Sequence, residues 1–438
     1  MDNERQYFDS TLLFSFVCAL LWALHPVQTQ AVTYVSQRCE SLMALLFFLT
    51  FYCAMRGWKS PASRVWHLLA IAFFLLSASS KEVAVVVPFL VLLYEWTFRK
   101  KNPVEALKAY PAMYSGFALV VIFLMLMVVS GGTLTSRTAN NSFTPLDYWI
   151  TQCQVILHYV RLSIWPSSLT IDYGWPVAAF KEAWLHVIIV VFFVCMSLWS
   201  LWRQKVVGFL GMWFFIIIAP TSLFPLPDLA FEHRLYLSLA AIIIAFVGIV
   251  YNVYFRLIKR FGKYEYCKIV MSVGLTIAII CINMLLGFMT YKRNNDYRSE
   301  MAIWLDTVNK RPDNFRGYHG VGLAFASEKE FSQGLEYMLR ALKLNPQNPY
   351  VNTDTGFILF LMKRPKEAIP YFEQSIKLKP NNSKAQNNLG AALAQTGNLQ
   401  QAIVHFSRAL EMKPDYTSAR NNLEKASASL KQSTSDDY

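Results

Sequence analysis

The sequence predicts an all-α protein in two parts, a polytopic helical membrane domain of about nine spans followed by a solenoid of paired helices. Three observations predict it. The 438 residues are 55% hydrophobic, above the 45–50% of an ordinary soluble chain. The long apolar runs all end before about residue 291. Beyond them the sequence repeats with a fixed period.

Charge separates the same two parts. Residues 1–295 hold 23 Lys+Arg against 13 Asp+Glu, and residues 296–438 hold 18 against 15. The basic residues cluster at the ends of apolar runs, which is how membrane proteins use them, so no nucleic-acid partner is expected. Five of the seven cysteines (Cys18, Cys53, Cys195, Cys267, Cys281) lie in or beside apolar runs, and no CxxC occurs. Free buried thiols are expected, with no disulfide framework and no metal site; Cys39 and Cys153 are the pair able to meet outside the membrane. Met1–Ser10 is acidic and polar, unlike the basic start of a cleavable signal peptide.

A spanning helix needs roughly 20 apolar residues, because in lipid the backbone must satisfy its own hydrogen bonds. Nine candidates fall near 10–25, 41–55, 65–79, 83–97, 109–130, 184–202, 206–224, 235–255 and 268–290. The first four are short, which suits little tilt or a partly re-entrant path. Loops after the second, fourth, sixth and eighth candidates carry Arg56, Lys59, Arg64, Arg99, Lys100, Lys101, Lys108, Arg203, Lys205, Arg256, Lys259, Arg260, Lys263 and Lys268. The other side has only Arg38, Lys81, Arg137, Arg161, Lys181 and Arg234. The positive-inside rule places the first set in the cytosol, and nine spans then leave the C-terminal part outside, in periplasm or ER lumen. Glu40, Lys81-Glu82 and Glu232-His233-Arg234 stand at outward span ends, where ionisable groups face a cavity or pair.

Residues 131–183 form the longest outward connection. It opens with a Gly/Thr/Ser/Asn stretch that reads as a loop and contains an Asn140-Asn141-Ser142 sequon. Apolar residues from Tyr148 to Leu162 then recur at helical spacing, as in an interfacial helix with Trp149 and Trp165 at headgroup depth. In "WPSSLTIDYGWP", Asp172-Tyr173 sits between two Trp-Pro steps, either as a rigid turn or as a substrate-contacting one.

Pro312, Pro346, Pro380 and Pro414 are 34 residues apart. On that register Gly322, Gly356 and Gly390 share a column, as do Gly334, Ala368 and Ala402, and Met338, Phe372 and Phe406. A 34-residue unit with small residues at a helix crossing, an aromatic on the second helix and a closing proline is the tetratricopeptide (TPR) signature. The expected units are 315–348, 349–382 and 383–416, after a connector at 296–314. A capping helix at 417–430 and a disordered tail at 431–438 would complete the chain. Asn352, Gln386, Asn387, Asn421 and Asn422 fall near first-helix positions, where they suit hydrogen bonding to an extended peptide or simply a solvated face.

The segments "ALHPVQTQAVTYVSQRCESLMALLFFL", "SSKEVAVVVPFLVLLYEW", "YVRLSIWPSSLTIDYGWP" and "PTSLFPLPDLAFEHRLYLSLA", followed by the repeats, resemble the transmembrane and TPR-repeat O-mannosyltransferase family, among the C-type glycosyltransferases. The resemblance implies transfer of a sugar, mannose-like, from a polyprenyl- or dolichyl-phosphate donor to protein Ser/Thr on the outward face. The TPR array would present the acceptor. It assigns catalytic duties to Glu40, Glu82, Glu232 and His233 and donor-phosphate duties to Lys81, Arg161, Arg234, Asp172 and Tyr173. Asn352, Gln386, Asn387 and Asn421 become acceptor-peptide contacts. Relatives also carry an acidic pair in a first outward loop, and this sequence opens at what corresponds to the approach to their third span. Asp2, Glu4 and Asp9 lie on the opposite side. That departure reads as a piece of a longer chain or as a lost base, and a non-catalytic membrane-anchored TPR scaffold is the competing function. A transporter is disfavoured, since no inverted repeat shows.

Overall fold

The computed structural model describes residues 2–100, 102–130, 143–261 and 264–436; the loop start at 131–142, with its sequon, lies outside them. The chain divides into two compact units, Met1–Leu169 with Trp175–Tyr297 and Thr170–Gly174 with Arg298–Tyr438. The described helices of the first are α1 (Asp2–Leu24), α2 (Thr29–Thr33), α3 (Arg38–Gly57), α4 (Ser63–Ser80), α5 (Val87–Arg99), α6 (Pro103–Ala109), α7 (Pro111–Ser130), α8 (Pro145–Ile164), α9 (Phe180–Trp202), α10 (Val206–Leu223), α11 (Leu239–Phe261) and α12 (Glu265–Asp296).

Among the described residues six helices are long and apolar enough to cross a membrane, or up to eight if each of two bent pairs is one span. The bends lie between Leu24 and Pro26 (55°) and between Ala109 and Pro111 (102°). Proline explains both, because it donates no N–H and cannot continue the preceding helix. The remaining candidate, 83–97, is a 3-10 turn over Glu82–Val86 followed by the 13-residue α5. Its β-branched Val83, Val85, Val86 and Val87 resist regular α-helix, and Pro88 in the first turn of α5 fixes where the helix begins. The two pieces together measure about 30 Å, close to the hydrocarbon thickness of a bilayer.

Aromatic rings knit α3, α5 and α10. Phe47 and Phe51 meet Trp213 edge-on at 5.7 and 5.6 Å, and Phe209 meets Phe98 at 5.2 Å. Elsewhere large apolar side chains such as Ile249, Ile277, Met284 and Phe288 are exposed, which only a lipid surround makes inexpensive. Cys39 and Cys153 are both free thiols.

The second unit holds α13 (Glu300–Lys310), then the pairs α14 (Phe315–Ser327) and α15 (Phe331–Leu344), α16 (Pro349–Leu361) and α17 (Pro365–Leu378), and α18 (Ser383–Gln395) and α19 (Leu399–Met412). A final α20 (Thr417–Asp436) packs on α19. Phe372 and Phe406 are fully buried. A Cβ on Gly356 would come within 2.8 Å of the Phe372 ring and one on Gly390 within 2.7 Å of Phe406. Two glycines of that one column are therefore contact requirements. Two expectations change. The stretch 296–314 contains a real helix, α13, whose start is capped by the Ser299 side chain accepting from the Ala302 N–H. Residues 431–436, expected to be disordered, continue α20, because no Gly or Pro after Pro414 stops the helix.

Candidate active site

The polar passage after α1 is built as a floor. His25 Nδ1 accepts the Val27 N–H, and Gln28, Thr29 and Gln30 are buried. α3 then starts with Glu40 in its first turn, where the helix dipole favours a carboxylate. Lys81 stands where α4 gives way to extended backbone, at φ −160° and ψ 141°. It donates to Gln37 Oε1 at 3.3 Å and forms an ion pair with Glu40.

The third contributor is the segment 224–238 between α10 and α11. Its 3-10 turn Glu232–Leu235 is wholly buried. α8 holds this segment from behind: Tyr159 Oη accepts the Phe231 N–H at 2.8 Å and Gln152 Nε2 donates to the Leu229 carbonyl at 2.9 Å, while Tyr148 Oη donates to the Thr221 carbonyl in the last turn of α10 at 2.6 Å. The helix expected to be interfacial does expose Trp149, yet its other face is a buried brace. Arg234 donates to the carbonyls of Leu229 at 3.0 Å and Asp228 at 2.7 Å, and its guanidinium lies 5.6 Å over the Phe231 ring. Phe231 in turn stacks on the His233 ring at 5.0 Å.

These pieces enclose a cavity of about 330 Å³ lined by Glu40, Lys81, Glu82, Asp228, His233 and Arg234, with Met43, Ile217, Leu237 and other apolar walls. His233 Nε2 is 3.9 Å from Glu40 Oε1. Burial, then the positive charges of Lys81 and Arg234, hold the His233 imidazole well below its ordinary pKa, so it is neutral at physiological pH. Two cations, a neutral imidazole and carboxylates around an apolar-walled cavity suit an anionic headgroup carrying a polar substituent.

Other expected site residues lie elsewhere. Glu232 does not line the cavity; it faces Arg293 at 3.9 Å, and Arg293 also binds Asp296 at 3.1 Å. A fully buried carboxylate needs such a partner. Arg161 is exposed on α8 and does not line the cavity. Asp172 and Tyr173 belong to the second unit. There Asp172 pairs with Arg316 at 2.7 Å and accepts the Gly174 N–H at 2.7 Å, while Arg311 lies 5.4 Å over the Tyr173 ring. The rigid-turn reading of that segment thus gains a partner, the first repeat. In the repeats, Asn352 Nδ2 is spent on the carbonyls of Pro346 and Asn348 at 3.0 and 2.8 Å. Gln386 bonds His405 at 2.7 Å, Asn387 accepts from Asn422 at 3.0 Å, and Asn421 is exposed. Asn352 is therefore a helix-end clamp, with its polar atoms turned inward. Asp228 and Phe231, which also line the cavity, were not among the expected site residues.

A tetratricopeptide-repeat family model matches residues 359–426. The human protein O-mannosyl-transferase TMTC3 is 22% identical over 395 residues, covering 81% of this chain and 42% of its own length. The Drosophila melanogaster Tmtc3 is 22% identical over 412 residues, covering 81% and 43%. The chain thus spans less than half the length of these curated relatives. Among solved structures, the TPR protein YrrB is 18% identical over 41% of this chain and 84% of its own, at TM-score 0.28, too slight a likeness to argue from. Over four-fifths of its length the chain is similar to these O-mannosyl-transferases, and its second unit carries tetratricopeptide repeats.

Proposed function

We propose that this chain is the transfer-site and acceptor-presenting portion of a membrane O-mannosyltransferase. It would take mannose from a polyprenyl- or dolichyl-phosphate donor and pass it to a Ser or Thr hydroxyl of a protein. The convergence of Glu40, Lys81, Glu82, His233 and Arg234 on one cavity carries this reading. These residues come from three segments whose shared position is the end of a span. Lys81 and Arg234 supply positive charge where the lipid phosphate departs, in a partly desolvated setting that strengthens their effect. Glu40 holds Lys81 in place, and the apolar walls would keep water from the sugar. The repeats would present the acceptor, with the exposed Asn421 and the Asn387–Asn422 pair on the presenting face.

Sidedness follows the charge. Counting Glu82–Arg99 as a crossing puts the basic loops in the cytosol and the cavity and repeats outside, in an ER or bacterial inner membrane. The test is transfer of labelled mannose from its polyprenyl phosphate to a Ser/Thr-rich peptide by the full chain in liposomes. Arg234→Gln is expected to lower turnover by about 10²-fold. Donor-independent labelling, or equal turnover in the variant, would leave the scaffold function instead.

A further inference from the structure

The 3-10 turn Glu232–Leu235 carries three ionisable side chains in a row, Glu232, His233 and Arg234, and its geometry decides where each one points. At about three residues per turn, neighbouring side chains leave the axis about 120° apart and every third one returns to the same side. The cavity lining follows that phase. His233 and Arg234 line it, and so do Tyr236 and Leu237 three residues on. Glu232 and Leu235 do not, and both are fully buried. Turning this segment by one residue would bring the Glu232 carboxylate to the cavity wall in exchange for His233 or Arg234.

The turn is fastened on both sides. Toward the cavity, Arg234 is held by the carbonyls of Leu229 and Asp228, and the His233 N–H donates to Gln30 Oε1 at 2.9 Å. On the far side Glu232 faces Arg293 at 3.9 Å, with the Arg293 side chain only 4% exposed. Arg293 stands in the last turn of α12, whose end is itself anchored. Thr290 Oγ1 donates to the Leu24 carbonyl at 2.6 Å, and Thr33 Oγ1 donates to Asn294 Oδ1 at 2.7 Å. Asp296 pairs with Arg293 at 3.1 Å, and the guanidinium lies 5.0 Å over the Tyr297 ring. Arg293 is thus a fixed post against which the turn is set.

We propose that Arg293 is a positioning residue for binding of the donor phosphate. It holds the Glu232 carboxylate on the far side of the turn, which keeps that negative charge out of the cavity and Arg234 in it. This rests on the reading of the cavity as the transfer site. The wall already carries Glu40, Glu82 and Asp228 against Lys81 and Arg234. A fourth carboxylate there would leave a phosphate facing like charge, which is repulsive. Without Arg293, the buried Glu232 is short of the cation that faces it, and the turn gains by moving toward the cavity cations.

The test uses the full chain in nanodiscs, with polyprenyl-phosphate mannose as the probe and labelled transfer to a Ser/Thr-rich peptide as the second readout. Arg293→Met is expected to raise the donor Kd and KM by at least about 10-fold. Its kcat should stay within about twofold, as when ground-state binding alone is lost. Arg293→Lys, which keeps the charge, should recover most of the affinity. The double variant Glu232→Gln/Arg293→Met should recover it too, since a neutral amide neither repels the phosphate nor draws Arg234 away. A purely structural peg gives no such recovery, because the double variant lacks both halves of the contact. Wild-type donor affinity in Arg293→Met overturns the proposal, and so does a loss undiminished in the double variant. Should thermal melts show Arg293→Met unfolded, the double variant, which buries neither charge, decides by the same criterion. If the unaltered chain fails to bind donor, the transfer reading falls, and the role of Arg293 with it.

Discussion

Lys81 joins two segments that the sequence separates by forty residues. Its ammonium is mostly buried against Glu40, and removing one partner of such a pair leaves an uncompensated charge. Lys81→Met should therefore cost about 3–5 kcal/mol of stability, read as loss of the folded fraction in a thermal melt. Adding Glu40→Gln should return most of it. Glu40, Lys81, His233 and Arg234 were legible in the sequence because ionisable groups at span ends are too costly to be idle. The bond between Gln30 and His233 was not, since it arises only when the chain brings together residues 203 positions apart. Asp172 was misplaced for the same reason. Its local frame of tryptophans and prolines says nothing of Arg316, 144 residues on.

Asp354 offers a second residue-level check. Burial pushes its carboxyl up, but bonds from His319 and Lys384, both at 2.9 Å, outweigh this and hold the pKa below the ordinary value. A depressed folded pKa contributes stability above the unfolded carboxyl value, lost as pH falls through the folded one. Urea unfolding of the repeats should thus weaken below about pH 4, and Asp354→Asn should flatten that part of the profile.

The repeat helices were the most legible elements, because a 34-residue register fixes crossing points, aromatics and caps together. The structure adds the ring contact that explains the glycine column of the second and third units. Gly390→Ala would drive a methyl into Phe406, and overpacking of this kind costs about 1–3 kcal/mol. Gly397 has φ +88° and open space, so its alanine variant should lose only about 1 kcal/mol, through backbone strain. Urea midpoints of the two variants at equal slope decide between them. The element least legible was Glu82–Arg99, since a periodic reading cannot tell a continuous helix from a 3-10 turn joined to a shorter one.

For the whole molecule, sidedness and chemistry depend on one another. If Glu82–Arg99 crosses, Glu82→Cys and Lys100→Cys, in a background lacking the native cysteines, should react with an impermeant maleimide from opposite sides of a vesicle. Reaction from the same side would leave three crossings between Lys81 and Arg234 and put them on opposite faces, against the cavity they share. Composition and hydropathy made the two-part architecture legible. They left open which span-end residues share a cavity, because that depends on how α8 braces the segment 224–238.

On the proposed function, the cavity lined by Lys81, His233 and Arg234 holds the phosphate and sugar of a lipid-linked donor. Photo-crosslinking with a polyprenyl-phosphate mannose analogue carrying a diazirine on the sugar tests it directly. Label is expected on the peptides containing 37–43, 81–83 and 226–237, competed by unlabelled donor and lost in Arg234→Gln. Label confined to the repeats, or spread along lipid-facing helices without competition, would contradict it.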